Sequence, residues 1–372
     1  MKASRIYTLA LLSGLLLLFV WDRVSDRRNR PVDSPAPYSV SQEATRSTDT
    51  ARNLSAPEPG AASPITNPTA SGVPDSGGSA DLEDFERRCQ APGVLLCKGF
   101  DSPSDFVRAV WPASGLYPAW DGAMRGTLDT QVKASGNGSL RFEIPSYSGP
   151  NTAGYCRQAM GRSFGEGATF YVQFRQRFSP EMLTNQWGGT TTWKQTIFHN
   201  ARATCADVEL ATGNYYRDGF PVMNTDCGAR GLSTNNGIPP YLHQQGDYNC
   251  PYGSTSPAHC FFYPANQWVT FYYQVSIGHW GRPDSTIKAW VALPGKPYKQ
   301  WINMTNFVLN NSAPGNDYDT VTLLPYMTGK DPKIYGGPTA YTWYEELIIS
   351  TRPIAATGTS VRPPTAKPKR RA

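Results

Sequence analysis

Only four histidines occur in the 372-residue chain, and neither a Cys-x-x-Cys pair nor a His-x-x-x-His spacing is present. The ligand pairs of a zinc site are therefore missing, and no metal is expected at a catalytic centre. Charge is scarce too, at 17% of residues. Between Asp81 and Arg352, 22 Lys plus Arg balance 22 Asp plus Glu, and the formal excess of +6 collects largely in Arg362, Lys367, Lys369, Arg370 and Arg371. That basic end reads as a solvated tail, and no nucleic-acid partner is expected. No amphipathic helix of three turns stands out, although Asp101 to Trp111 offers one turn or two. Nor does any apolar run reach the ~20 residues of a membrane span. The longest, Ile6 to Trp21, has 16, and no small-x-small cleavage site follows it.

What the chain does contain is Gly (34), Pro (32) and aromatics at 12%, the composition of a loop-rich β protein. Residues 1–30 are expected to be a signal peptide or an uncleaved membrane anchor. The Arg-rich segment after Trp21 would, by the positive-inside rule, put the C-terminal side in the cytoplasm. The cysteines oppose this, because short-range pairs Cys89/Cys97, Cys205/Cys227 and Cys250/Cys260, with Cys156 left over, read as disulfides of an exported protein, extracellular or periplasmic. Residues 31–80 are rich in Pro, Ser, Ala, Thr and Gly, too poor in apolar surface to offset chain entropy, and read as a flexible stalk. Residues 81–353 form the folded domain and 354–372 a disordered basic tail. Sequons at Asn53, Asn137, Asn303 and Asn310 matter only in a host that glycosylates.

Within the domain, apolar and polar residues alternate with period two, the signature of half-buried strands. Leu140, Phe142 and Ile144 are set inward against Ser139, Arg141 and Glu143. Phe170, Val172 and Phe174 oppose Tyr171, Gln173, Arg175 and Arg177. Val269, Phe271, Tyr273 and Val275 oppose Trp268, Thr270, Tyr272 and Gln274, and Ile287, Ala289, Val291 and Leu293 oppose Lys288 and Trp290. Many short strands with Gly/Pro turns predict an all-β fold, a two-sheet antiparallel sandwich.

Polar chemistry is densest between Trp193 and Gly228. Alternation there predicts one face bearing Trp193, Gln195, Ile197 and His199, and another bearing Asp207 and Glu209. Such a pattern fits a sugar cleft and an ordinary solvated sheet face equally well. Trp193, Trp268, Trp290, Tyr171 and Tyr272 are candidates for stacking on sugars, with Gln173, Gln274 and Arg175 bonding hydroxyls. Asp207 and Glu209 offer the two carboxylates of a retaining glycoside hydrolase. Glu345 and Glu346 offer oxygens to a structural Ca2+, although adjacent strand residues are expected to point to opposite faces.

The strands GNGSLRFEI, FYVQFRQRF, NQWVTFYYQVSI and TWYEELIIS, spanning roughly Phe100 to Arg352, resemble the concanavalin A-like lectin and glucanase superfamily. Within it they are most similar to jelly-roll polysaccharide lyases of the alginate and glucuronan lyase type. The resemblance implies a jelly roll whose concave sheet binds a polysaccharide. It matches Arg141 and Glu143 to an Arg-x-Glu strand, and Gln195 and His199 to a Gln-Ile-His strand that here reads Gln-x-Ile-x-His. The family's Tyr has no firm match, and Tyr215, Tyr216, Tyr341 and Tyr344 are candidates by location, Tyr215 foremost. The implied activity is β-elimination at a uronate, with Arg141 and Gln195 holding the carboxylate, His199 taking the C5 proton and a Tyr protonating the leaving oxygen. Glu143 and Glu209 would line the substrate. A non-catalytic, lectin-like module and a retaining hydrolase are the alternatives. All of this requires Arg141, Gln195 and His199 to converge in one groove.

Overall fold

The computed structural model describes residues 79–106, 126–184, 192–200, 208–214, 221–224, 241–242, 244–250, 259–311, 315–328, 330–333 and 337–358. The expected anchor, nearly all of the stalk, the end of the tail, Tyr215, Asp207 and the Cys205/Cys227 pair lie outside them. The strands are β1 (Val94–Lys98), β2 (Thr127–Asp129), β3 (Ser139–Ile144), β4 (Cys156–Phe164), β5 (Thr169–Phe178), β6 (Thr192–His199), β7 (Glu209–Asn214) and β8 (Pro221–Asn224). They continue with β9 (Tyr241–Leu242), β10 (Gln244–Gln245), β11 (Asn249–Cys250), β12 (Val269–Ser276), β13 (Pro283–Ala292), β14 (Lys299–Val308), β15 (Tyr318–Thr328) and β16 (Ala340–Ser350).

They form the expected antiparallel two-sheet sandwich. An eight-stranded sheet runs β14-β13-β12-β5-β16-β3-β2, with β1 also paired to β16, and a six-stranded sheet runs β4-β15-β6-β7-β8-β9. The inward residues read from the alternation do meet in the core. Phe142, Phe170, Phe174, Val269, Phe271 and Ile287 from the large sheet share one buried cluster with Phe198, Leu210, Val321 and Leu323 from the small one. Across the sheet interface the rings of Phe170 and Phe198 lie 5.7 Å apart, edge to face, and those of Phe198 and Tyr273 lie 5.2 Å apart. Each such buried aromatic contributes about 1.5–3 kcal/mol through the area it removes from water.

Two disulfides, Cys89–Cys97 and Cys250–Cys260, are present as expected, and Cys156 is free and buried. Burial pushes the Cys156 thiol up to about 11. No helix among the described residues is long and apolar enough to cross a membrane.

One helix departs from expectation. The segment from Asp101 gives a single 3-10 turn at Pro103–Phe106 within the described residues, whereas a three-turn helix, α1, occupies Ser79–Cys89. Apolar periodicity misses α1 because the side it buries is largely ionic: Asp84 and Arg88 go inward together with Phe85. Arg88 Nε bonds Asp84 Oδ2 at 2.9 Å one turn back, and its other nitrogens reach Gln173 and Glu346 on the large sheet. Arg175 Nε closes the network 3.2 Å from Glu346 Oε2. Basic Arg87 and Arg88 in the last turn and acidic Asp81 in the first also match the helix dipole. The chain stays packed past the boundary expected at 353, with Ile354 buried and the Gly358 N–H bonded to Asp84 at 3.1 Å. A second, short helix, α2, spans Pro180–Thr184.

Glu345 and Glu346 were expected to point to opposite faces. A register shift after Glu345 and a left-handed φ of 53° at Glu346 send both away from the core, between inward Tyr344 and Leu347. Glu345 then accepts the N–H groups of Ala134 and Ser135 and the Ser135 hydroxyl, while Glu346 faces Arg88 and Arg175. Protein donors thus meet both Glu345 oxygens and Glu346 Oε2, while Glu346 Oε1 is buried with no hydrogen-bond partner among the described residues.

Candidate functional site

The expected trio does not converge. Arg141 and Glu143 lie on the outer side of β3, in the large sheet, opposite the inward Leu140 and Phe142. Gln195 is fully buried and its Oε1 accepts the Tyr263 hydroxyl at 2.9 Å within the sandwich. His199 lies on the outer side of the small sheet. Alternation tells which side of its own sheet a residue faces, not which sheet its strand joins.

The other sugar-binding candidates divide in the same way. Tyr171, Gln173 and Arg175 of β5, Gln274 of β12, Trp290 of β13 and Trp268 just before β12 all project from the outer face of the large sheet, beside inward Phe170, Val269 and Val291. Gln173 there bonds Arg88, Tyr298 and the Ala355 carbonyl, so it fastens α1 and the C-terminal segment. Trp290 stacks on Tyr272 at 5.2 Å, and Trp268 packs with Trp343 and Ala134. Trp193 is core, 5.5 Å from Phe178 and 5.3 Å from Tyr263 between ring centroids.

The physical cause of the error on β6 is a bulge. Lys194 pairs with Gly213 and Thr196 with Thr212, so Gln195 is an extra residue opposite β7. Alternation reverses there: Trp193 and Phe198 both face the core, while Lys194, Ile197 and His199 face out. The neighbouring β15 is irregular at the same level, between Leu323 and Tyr326, around Pro325. A Cβ at Gly213 would sit 2.5 Å from the Trp193 carbonyl oxygen, so the close approach needs glycine. A glycine and a proline inside predicted strands are the sequence signals that mark this bulge.

On the outer side of the small sheet two cross-strand rows result. One runs Ala159, Thr320, His199, Glu209, and the next Arg157, Thr322, Ile197, Ala211, Asn224. Lys194 and Glu209 lie along the sheet and meet, Nζ to Oε1 2.9 Å, with side chains 15% and 3% exposed. The Lys194 ammonium is 6.0 Å from the ring centre of Tyr326, and the Arg157 guanidinium is 4.8 Å from that of Tyr155. Both tyrosines pack on buried Ile197, Ala211 and Leu324. His199 and Glu209 are buried, while Lys194, Arg157, Tyr155 and Tyr326 remain partly exposed. A recess with a buried polar floor and a partly exposed rim of two cations and two phenols follows. Lys194, Arg157, Tyr155 and Tyr326 escaped the sequence reading because Lys194 was given the opposite face and β4 carried no motif.

The imidazole at the floor has a fixed tautomer. Nδ1 is 2.9 Å from the Asn200 carbonyl, which only accepts, so Nδ1 carries the hydrogen and Nε2 accepts the Thr322 hydroxyl at 2.7 Å. Burial, then the Arg157 and Lys194 charges, lower its pKa to about 3, with the Asn200 bond opposing. His199 is therefore neutral throughout the neutral range. Acid costs stability in consequence: the unfolded histidine takes a proton near pH 6.5 and the folded one does not. The stability contribution is complete above about pH 6.5 and falls as the pH drops toward 3, by about 1.4 kcal/mol per pH unit. Urea melts at pH 7 and pH 5 should show a loss of about 2 kcal/mol that His199→Gln abolishes.

No protein-family model and no curated protein matches the sequence. Solved structures to which the chain is similar include an endo-β-1,4-glucuronan lyase from the fungus Trichoderma reesei, 12% identical, covering 70% of this chain and 96% of that one, TM-score 0.40. A PL-14 alginate lyase from Aplysia kurodai is 13% identical over 70% of this chain and 99% of that one, TM-score 0.44. The binding domain of Paraclostridial Mosquitocidal Protein 1 is 9% identical over 71% and 50%, TM-score 0.37. At that distance what the chain does has to follow from the chemistry on its own sheet faces.

Proposed function

We propose that the recess on the outer side of the small sheet takes a uronate-containing polysaccharide and cleaves it by β-elimination. The observation that carries this is the pairing of two cations, Lys194 and Arg157, with two partly exposed tyrosines around a neutral imidazole. Elimination requires the uronate carboxylate to be neutralised so that charge developing on the enolate is stabilised, a task for fixed cations. Arg157 and Lys194 supply them. His199 Nε2 holds a lone pair that accepts the C5 proton once the Thr322 hydroxyl turns away, and a bound carboxylate offsets part of what burial and the two cations take from its basicity. Tyr326, beside the Lys194 ammonium, protonates the leaving oxygen. Glu209 is held in the Lys194 ion pair, a positioning role rather than that of a glycosidase nucleophile.

One observation favours a second reading, that of a sugar-binding module without turnover: both His199 nitrogens are already bonded. The chain is further proposed to be exported, in keeping with the disulfides Cys89–Cys97 and Cys250–Cys260, with residues 6–21 as signal or anchor. Incubation with a panel of uronate polymers, followed at about 235 nm for the unsaturated product of elimination, distinguishes the cases. A rise supports the lyase, retained binding without a rise supports the module, and new reducing ends without a rise support hydrolysis.

A further inference from the structure

Tyr147 is 64% exposed, and Leu95 is the one other large hydrophobic exposed among the described residues. Its backbone is left-handed, with φ 48°, a conformation that is uncommon and strained outside glycine. The loop that carries it, residues 145–155, is nevertheless firmly held. Lys330, 2% exposed, donates from Nζ to the Pro145 carbonyl at 3.1 Å, to Ser148 Oγ at 2.6 Å and to the Ser148 carbonyl. Ser148 Oγ in turn donates to the Pro145 carbonyl at 2.6 Å, and the Ser146 hydroxyl donates to the Gly337 carbonyl. A buried ammonium spent on three loop oxygens on either side of Tyr147 fixes the position of a ring that packs on nothing in the core.

The same loop abuts the recess. The Pro150 carbonyl accepts the Met327 N–H at 3.1 Å, next to Tyr326, and the loop ends on Tyr155, which packs against the same cluster of Ile197, Ala211 and Leu324 as Tyr326. Three residues of chain from Pro150 keep Tyr147 within about 11 Å of that bond. An aromatic ring shown to water on a braced loop, at the rim of a sugar recess, has the properties of a stacking platform for a pyranose ring.

We propose that Tyr147 is such a platform, holding a sugar ring of the polysaccharide beyond those above Lys194 and His199. This rests on the recess being the polysaccharide site. Bound there, a ring of the chain covers the exposed phenol and extends the site toward longer substrates, while the reacting unit is untouched. Loss of the ring therefore weakens long chains and spares short ones.

Wild type, Tyr147→Ala and Tyr147→Phe are compared on an oligouronate trisaccharide and a hexasaccharide of the same polymer, with melting temperature measured in parallel. The readout is KM with kcat, or Kd where no turnover occurs. Tyr147→Ala should weaken the hexasaccharide about tenfold, leave the trisaccharide and kcat unchanged, and leave the melting temperature unmoved, with Tyr147→Phe like wild type. Equal affinities for the hexasaccharide in all three proteins overturn the proposal while leaving the recess as the site. A loss that is equal for both lengths, or that tracks a fall in melting temperature, also overturns it. Failure of wild type to bind any uronate chain overturns the recess reading and this one with it.

Discussion

Replacing Lys194 together with its partner, as Lys194→Met/Glu209→Gln, is expected to lower kcat on a uronate polymer by about a thousandfold, within the range of a lost acid–base or charge-stabilising group. The double change is the informative one. Glu209 is 3% exposed and bonded to Lys194, so Lys194→Met alone would strand a buried carboxylate and cost about 3–5 kcal/mol of stability. Neutralising both groups removes that penalty. The protein should then melt near the wild-type temperature while forming almost no unsaturated product. Retention of more than a tenth of wild-type turnover would remove Lys194 from the chemistry.

The second large effect lies on the other sheet. Arg88 is buried between Asp84, Gln173 and Glu346, and the side chains of Arg88 and Glu346 are 1% and 0% exposed. Arg88→Met leaves Glu346 with Arg175 alone and Asp84 with Arg87 and the Gly358 N–H. Breaking a buried ionic network at one member costs about 3–5 kcal/mol. In a domain of this size that corresponds to a drop of roughly 10 °C in Tm, since each kcal/mol moves it by about 2–4 °C. Activity below the melt should be unchanged, because the network and the recess are on opposite sheets. Calorimetry giving a fall under about 2 °C would show that α1 is held by its apolar contacts and its disulfide instead.

Much of the fold was legible in the sequence, and the reason is specific. Strands such as Val269–Ser276 alternate cleanly, so Phe271 and Tyr273 could be placed inward and Tyr272 and Gln274 outward, as found. Cys89–Cys97 and Cys250–Cys260 were legible because each pair closes a short loop. α1 was not, since the face it buries is bonded by charge and shows no apolar stripe. The site was legible only in part. His199 was placed on an outward face correctly, but Trp193 and Gln195 were placed beside it because a regular pleat was carried through a bulge. One extra residue exchanges the faces of everything before it. Gly213 and Pro325 mark the irregularity, although neither says which strand takes the extra residue.

Arg141 failed for another reason. The Arg-x-Glu strand is present and faces outward as expected, yet it belongs to the large sheet, where Arg141 lies 3.5 Å from Asp129 and stacks over Tyr341 at 5.7 Å. Sheet membership follows from long-range pairing, β3 with β16 and β6 with β15, and local pattern carries no record of it. The cations that do flank His199 come from β4 and from the neglected side of β6.

The most direct test is a crystal structure with an oligouronate tetrasaccharide bound. The account predicts the sugar carboxylates within hydrogen-bond distance of Lys194 or Arg157, with one ring above His199. Density for the sugar over Arg141, Trp268 and Trp290, on the far side of the sandwich, would contradict it.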